Sequence, residues 1–294
     1  ILVLLILAGA FIPTQAFWNA PAVSTCNSAF MGRQFGELLV QPAAGTHSAT
    51  VIMLHGLGDT GSGWKPVASQ LQLGSHIKWM FPSAPTRPIT MNGGGSMPGW
   101  FDLGTPTQDD VGIQESIDYI SELIDSEVKA GISADRVLVA GFSQGGHLAL
   151  KTVLKYHLKL AGCIAMSTWL EALSFEVPAA ADLPFLICHG DQDVMVPVKS
   201  AYHTDKLLKS RGLNSTLNIY PGVAHSSNSQ ELRDVSVFIG ALLPAVSEPS
   251  LTRDDVDKMS VKALKQFLIK KGVDVTTLLE KTELIEKAKS LCSE

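Results

Sequence analysis

The sequence has few cysteines and no excess of basic residues. It begins with an apolar run, but this run is too short to cross a membrane. Its four cysteines are scattered and form no C-x-x-C pair, which excludes a disulfide framework and a zinc site of that type. We expect Cys163 and Cys188, each inside a short apolar run, to be buried core thiols. The uncharged apolar run over residues 1–12 is shorter than the roughly 18 residues that a spanning helix needs.

The charge balance and composition favour a folded protein that does not bind nucleic acid. The chain has 23 Lys and Arg against 28 Asp and Glu, a net charge of −5, which is the wrong sign for neutralising phosphates. Hydrophobic residues make up 46% and charged residues 17%, which excludes intrinsic disorder. The length of 294 residues allows one large domain, alone or with a small companion.

Residues 1–34 have the composition of a targeting segment. The apolar run has the length of a signal-peptide core, and Thr14-Gln15-Ala16 supplies the small residues of a cleavage site. The next stretch has Ser and Thr but no acidic residue, as transit peptides do, and Phe17 after the cut resembles two-part plastid presequences. We expect delivery to the secretory pathway or a plastid, or a cytoplasmic form if translation starts at Met31.

Residues 35–243 alternate between short apolar runs and helical patterns, and they form the predicted catalytic domain. Apolar residues recur near a period of 3.6 over residues 108–129, which predicts a helix. Several of the apolar runs lack a period of two, as expected of parallel strands that helices cover on both faces. The alternation predicts an α/β fold, a mostly parallel sheet of about seven strands with the ligand site at the strands' C-terminal ends. The predicted strands are 35–40, 51–54, 77–81, 137–140, 163–166, 185–188 and 216–220.

The C-terminal part of the chain is predicted to be a linker over residues 244–257 and a small helical module over residues 258–294. One helix is expected after Ser260 and another after Thr282. The stretch resembles SAP-like helix-loop-helix modules, some of which bind DNA and others only proteins. Residues 248–294 hold nine Lys and Arg and nine Asp and Glu, and this zero net charge favours a protein partner.

The strongest chemical signal is a G-x-S-x-G pentapeptide centred on Ser143. It follows the predicted strand at residues 137–140 and opens a helical pattern, which is the context of a nucleophile elbow. Glycines at both flanks permit the tight turn that presents the serine hydroxyl. The alternative is an inert serine at a glycine-rich helix start. We predict Ser143 as a nucleophile, which then needs a general base and an acid that orients it.

The acid and the base are expected downstream, because this architecture orders the residues as serine, acid, histidine. The loop after the strand at 185–188 holds two candidate acids, Asp191 and Asp193. His225 follows the strand at 216–220 and is the predicted base. His55 and His189 end strands beside glycines, where hydrogen bonds to loops are the expected role.

Two backbone N–H groups are candidates for binding the oxyanion that acyl transfer develops. One belongs to Gln144, the residue after the nucleophile. The other is expected from the glycine-rich loop at residues 55–61, where Leu57 is the natural candidate. A phosphate-binding interpretation of that loop lacks the G-K-[ST] ending.

Six ordered blocks in residues 35–243 resemble the acyl-protein thioesterase and lysophospholipase family of serine hydrolases: HGLGDTGSGW, APTRPITMNGGGSMPGWFD, GFSQGG, STWL, HGDQDVMVP and the final Gly-x-x-His-Ser. The resemblance implies an α/β-hydrolase fold and a triad with Asp193 as the acid, leaving Asp191 as a turn former. It also implies that Trp169 and Met195 line an acyl channel. Val194 and His147 depart from the family pattern and are expected to alter the fit of the acyl chain.

The loop at residues 83–101 is rich in Met, Trp and Pro and would suit a lid over a fatty-acyl chain. We predict Met97 and Trp100 as substrate contacts in it, against the alternative of a surface loop.

The implied activity is hydrolysis of an acylated protein or a lysophospholipid through an acyl-enzyme, without a metal or an organic cofactor. The alternatives are a broad carboxylesterase for small esters and a non-catalytic binding protein on a hydrolase scaffold.

Overall fold

A computed structural model of the chain describes residues 34–171, 182–246, 253–276, 278 and 280–291. Residues 1–33, most of the predicted targeting segment, lie outside these ranges, so the expected destination stays a prediction. Within the described part of the chain, no helix has both the length and the apolar character needed to span a membrane.

A seven-stranded sheet forms the centre of the catalytic region in the described residues. Its strands are β1 (Leu38–Gln41), β2 (Ala49–Leu54), β3 (Ile77–Pro82), β6 (Val137–Phe142), β7 (Gly162–Met166), β8 (Pro184–Gly190) and β9 (Asn214–Tyr220). Their order is β1-β3-β2-β6-β7-β8-β9; β1 is antiparallel to β3, and the other neighbours are parallel. All seven predicted strands are present, which confirms the α/β fold and the mostly parallel sheet.

Helices cover both faces of this sheet. The helices are α1 (Gly61–Gln70), α2 (Asp110–Lys129), α3 (Gln144–Lys155), α4 (Lys199–Ser210), α5 (Ser229–Leu242), α6 (Arg253–Lys258), α7 (Val261–Lys270) and α8 (Lys281–Lys289). Alternate residues of the central strands pack into two different cores: Ile52 of β2 belongs to the core beneath α2 and α3, whereas its neighbour Val51 belongs to the core beneath α1 and α5. Both residues are fully buried, which explains why the strand has no polar alternation.

The predicted lid loop contains a small hairpin that the sequence pattern does not indicate. Strands β4 (Thr86–Pro88) and β5 (Ser96–Pro98) pair antiparallel, with Arg87 opposite Met97. Each strand has only three residues and ends in proline, so no periodicity could develop. The buried Arg87 side chain reaches Asp109, whose other carboxylate oxygen caps α2 at Gly112, and this contact ties the hairpin to the domain.

The C-terminal helices differ from the prediction in two places. Helix α6 occupies residues that were expected to be linker, because its Val256 is fully buried with Leu264 and Leu284 in a core of their own. Helix α7 begins after Ser260, as predicted. Helix α8 begins at Lys281 instead of after Thr282, because the Glu280 and Glu283 side chains form a capping box.

Candidate active site

Ser143 stands at the turn between β6 and α3, in a backbone conformation that presents its side chain at the C-terminal edge of the sheet. Its φ of 52° is in the left-handed region, which a serine adopts only at an energetic cost. The turn is held by hydrogen bonds from Ser143 N–H to the Met166 carbonyl (2.8 Å) and from Thr168 Oγ1 to the Ser143 carbonyl (2.7 Å). The strained backbone conformation of Ser143 is therefore held in place by strand β7 and the loop after it.

The flanking glycines are required by close packing of backbone on backbone. A Cβ atom on Gly145 would lie 2.5 Å from the carbonyl oxygens of both Leu54 and His55. A Cβ atom on Gly141 would lie 2.2 Å from the Gly145 carbonyl oxygen. Only glycine lets the first turn of α3 approach the end of β2 this closely.

Three predicted residues from three different loops meet at this edge. His225 Nε2 lies 3.0 Å from Ser143 Oγ, and His225 Nδ1 lies 2.7 Å from Asp193 Oδ2. The other oxygen of Asp193 accepts hydrogen bonds from the backbone N–H groups of Met195 (2.9 Å) and Val196 (2.8 Å). A carboxylate only accepts hydrogen bonds, so Nδ1 of the imidazole carries the proton and Nε2 is free to accept from the serine hydroxyl.

Asp191, His55 and His189, the other acid and histidines considered from the sequence, form hydrogen bonds that hold loops together. Asp191 Oδ1 accepts a hydrogen bond of 2.7 Å from Gly222 N–H, which joins two loops. His55 accepts at Nε2 from Ala84 N–H (2.9 Å), and His189 Nε2 lies 2.8 Å from the Val196 carbonyl oxygen. Burial lowers the pKa of both histidines. These contacts agree with the loop roles expected of them.

Two backbone N–H groups are available for an oxyanion beside Ser143. Gln144 is the first residue of α3, so its N–H has no acceptor within the helix and sits at the positive end of the helix dipole. Leu57 lines the same cavity as Ser143. Its loop is tied to β5 by a hydrogen bond of 2.8 Å from Gly58 N–H to the Pro98 carbonyl.

A cavity of about 590 Å³ opens beside Ser143 and His225. Its volume is within the range of small-molecule sites, roughly 300–1,000 Å³. Trp169 and Met195 line it, as predicted. The other lining residues are mostly apolar: Gly56, Leu57, Asp59, Trp64, Met91, Leu103, Gly104, Phe142, Val196, Pro197 and Ser200.

Residues 36–243, which carry the whole of this site, match the model of the phospholipase/carboxylesterase family. The chain belongs to this family. The expected family, α/β-hydrolase fold and serine-hydrolase class are thereby confirmed. Residues 251–294 match the model of an E3 ubiquitin-protein ligase rififylin-like domain.

The chain is similar to fungal and plant proteins. It is 39% identical over 236 residues to acyl-protein thioesterase 1 of Neurospora crassa, and the match covers 74% of this chain and 96% of the relative. Among solved structures, it is similar to Arabidopsis thaliana SOBER1 (TM-score 0.63, 33% identity, 66% of this chain and 99% of that one). It is also similar to Zea mays acyl-protein thioesterase 2 (TM-score 0.62, 30% identity, 71% and 99%).

Met97 and Trp100 were predicted to contact the substrate, but neither is among the residues that line the cavity. Trp100 is fully buried, and its indole N–H donates to the His55 carbonyl at 2.8 Å. Met97 lies on β5 in the hairpin pair with Arg87. Met91 lines the cavity instead, because it lies in the turn between β4 and β5, and the residue is 57% exposed.

The described residues of the enzyme contain no group of three or more His, Cys, Asp or Glu side chains placed to hold a metal ion. Cys163 and Cys188 are buried free thiols, as predicted, and burial raises the pKa of both. Neither thiol lines the cavity.

Proposed function

We propose that this enzyme hydrolyses acyl thioesters and esters through Ser143, His225 and Asp193. One observation carries the proposal: the hydroxyl, imidazole and carboxylate form a continuous hydrogen-bonded chain, with distances of 3.0 Å and 2.7 Å, at the wall of a largely apolar cavity. This arrangement supplies a nucleophile, a base and an orienting acid.

The proposed reaction has two steps. In the first, Ser143 Oγ attacks the acyl carbonyl while its proton passes to His225 Nε2, and the N–H groups of Leu57 and Gln144 stabilise the oxyanion. The carbon–sulfur or carbon–oxygen bond then breaks, and the leaving group takes the proton from His225. In the second step, a water molecule gives a proton to His225 and attacks the acyl carbonyl; the bond to Ser143 Oγ then breaks, Oγ takes the proton back from His225, and the acid is released. Asp193 stabilises the imidazolium in both steps.

The proposed substrate class is an S-acylated protein. Relatives over the whole catalytic region are named acyl-protein thioesterases, and the apolar lining suits a hydrocarbon chain, since each buried methylene contributes about 0.8 kcal/mol. Lysophospholipids and small esters present the same carbonyl chemistry, so they are the comparison substrates in the test.

The test compares Ser143→Ala with the parent on three substrates: a palmitoyl-cysteine peptide, a lysophosphatidylcholine and a short-chain ester. We expect the variant to lose hydrolysis of all three and to lose labelling by a fluorophosphonate probe, while its thermal unfolding is unchanged. Ser126→Ala, which removes an exposed hydroxyl on α2, is the matched control and should keep full activity. Residual activity within tenfold of the parent would exclude Ser143 as the nucleophile.

We also propose that the C-terminal helices contact a protein. They have a hydrophobic core of their own around Leu264 and Leu268, and residues 248–294 carry no net charge. A DNA-binding module is expected to be basic and to bind in a salt-dependent way. Titration of duplex DNA into the full chain at low salt should therefore give no binding; a complex that weakens with salt would contradict the proposal.

A further inference from the structure

His147 lies one helical turn after Ser143, buried between two aromatic side chains. It is fully buried, and its backbone N–H donates to the Ser143 carbonyl at 3.0 Å. Its imidazole stacks on Trp169, with 5.0 Å between ring centroids and 27° between planes. Phe101 packs on it at 5.2 Å with a tilted ring. The imidazole therefore occupies the space between these two aromatic rings.

Polar contacts fix the relative position of the imidazole and the indole. His147 Nδ1 lies 3.1 Å from the Trp169 carbonyl oxygen, and the Trp169 indole N–H donates to Glu171 Oε1 at 2.7 Å. The other oxygen of Glu171 lies 3.6 Å from His147 Nε2 and 3.5 Å from Lys151 Nζ. Helix α3 and the segment after β7 are thus joined through Trp169 at both its backbone and its side chain.

The cavity beside Ser143 is bounded by Trp169, whereas His147 is not among its lining residues. The imidazole therefore stands behind the indole as its support. Burial holds the pKa of His147 well below its usual range, although the Glu171 carboxylate opposes this effect, so the ring packs as a neutral group at neutral pH. Because protein interiors are close-packed and hardly compress, the buried imidazole keeps the indole of Trp169 from moving toward it.

We propose that His147 is a specificity-determining residue that limits the length of the acyl chain by holding Trp169 in place as the cavity wall. This inference rests on the proposed hydrolysis of acyl substrates. Removing the imidazole leaves an empty space behind the indole, into which Trp169 can move, so the cavity deepens for longer chains. The effect belongs to the ring volume of His147, not to its charge.

The experiment measures kcat/KM for p-nitrophenyl butanoate and p-nitrophenyl dodecanoate and reports the ratio of the long to the short ester. His147→Ala is expected to raise this ratio at least tenfold, since even one methylene in an apolar pocket changes discrimination about 10-fold or more. His147→Phe keeps a planar ring against Trp169 and should leave the ratio within threefold of the parent. His203→Ala removes an exposed imidazole on α4 and is the matched control.

The outcomes separate this inference from the proposed function. If the parent hydrolyses neither ester, the proposed function fails. If the parent hydrolyses them and the ratio for a folded His147→Ala stays within threefold, the inference is overturned. If His147→Ala does not fold, it is replaced by His147→Val, in which two methyl groups fill only part of the volume of the imidazole; this variant should raise the ratio at least threefold. A tenfold change in folded His147→Phe would also overturn the inference, because ring volume would not be what matters.

Discussion

Asp193 and Asp191 lie two residues apart in one loop, and their carboxylates bind different parts of the molecule. Asp193 Oδ2 lies 2.7 Å from the His225 imidazole, whereas Asp191 Oδ1 accepts from the Gly222 backbone at 2.7 Å. The Asp193 side chain is completely buried, and its second oxygen is held by two backbone N–H groups. One carboxylate thus faces the imidazole, while the other joins two loops.

Because the two carboxylates have different partners, replacing each aspartate by asparagine should affect a different property, turnover in one case and stability in the other. Asp193→Asn is expected to lower turnover by about 10⁴-fold, because the amide cannot stabilise the imidazolium and favours the wrong tautomer. Asp191→Asn is expected to affect mainly stability, with turnover per folded molecule within about threefold of the parent. Steady-state kinetics on a short-chain ester, corrected for folded fraction by circular dichroism, distinguishes them. Greater damage to turnover in the Asp191 variant would reverse the assignment.

Gln144 is predicted to stabilise the fold through its side chain, separately from any role of its backbone. Its amide accepts from Trp100 N–H at 2.9 Å and donates to the Phe101 carbonyl at 2.6 Å, both in the buried interior. Gln144→Met leaves these two groups without partners and should lower the free energy of unfolding by about 2–4 kcal/mol.

Urea unfolding measures the effect of this change. Gln114→Met, which removes an exposed amide on α2, is the control and should change the free energy of unfolding by less than about 0.5 kcal/mol. Equal effects of the two variants would mean that the buried hydrogen bonds of Gln144 do not stabilise the fold.

Glu231 is predicted to make stability depend on pH. It is fully buried near the start of α5, and within the described part of the chain neither carboxylate oxygen has a hydrogen-bond partner. Burial raises its pKa to about 8. Between the ordinary pKa of a glutamate and pH 8, the unfolded chain releases a proton that the folded chain retains, so stability falls as the pH rises.

Glu231→Gln removes this dependence. The difference in unfolding free energy between variant and parent should move in favour of the variant from pH 5 to pH 8 by about 2 kcal/mol or more, since each pKa unit corresponds to about 1.4 kcal/mol. Glu37→Gln changes an exposed glutamate and should show no such trend. A difference that stays constant with pH would contradict the prediction.

Removal of residues 248–294 is expected to leave hydrolysis of a small soluble ester within threefold of the full chain. Every residue of the proposed catalytic machinery lies before residue 244, and the C-terminal helices have their own core. The rate constant for a short-chain ester, measured at matched folded fraction, tests this. A drop of tenfold or more would mean that the tail shapes the catalytic site.

The sequence alone was enough to predict the strands, the elbow and the family. Continuous apolar runs mark strands buried on both faces, and the glycines around Ser143 mark a turn that packs too closely on neighbouring backbone to hold larger residues, so both signals can be read locally. The order of Ser143, acid and His225 follows from the architecture. The resemblance, and not the pattern itself, preferred Asp193 to Asp191, and the catalytic roles stay predictions until they are measured.

Tertiary structure alone decided which side chains of the loops reach the cavity. Trp100 was expected beside the substrate, but its backbone and indole N–H groups find partners in Gln144 and His55, more than 40 positions away in the chain. Met91 lines the cavity because a three-residue strand pair, too short to leave a periodic pattern, turns it there. Helix α6 likewise depends on tertiary contacts, because its Val256 is buried by leucines from the two following helices. Local patterns encode backbone conformation, whereas the direction that a loop side chain takes depends on partners far along the chain.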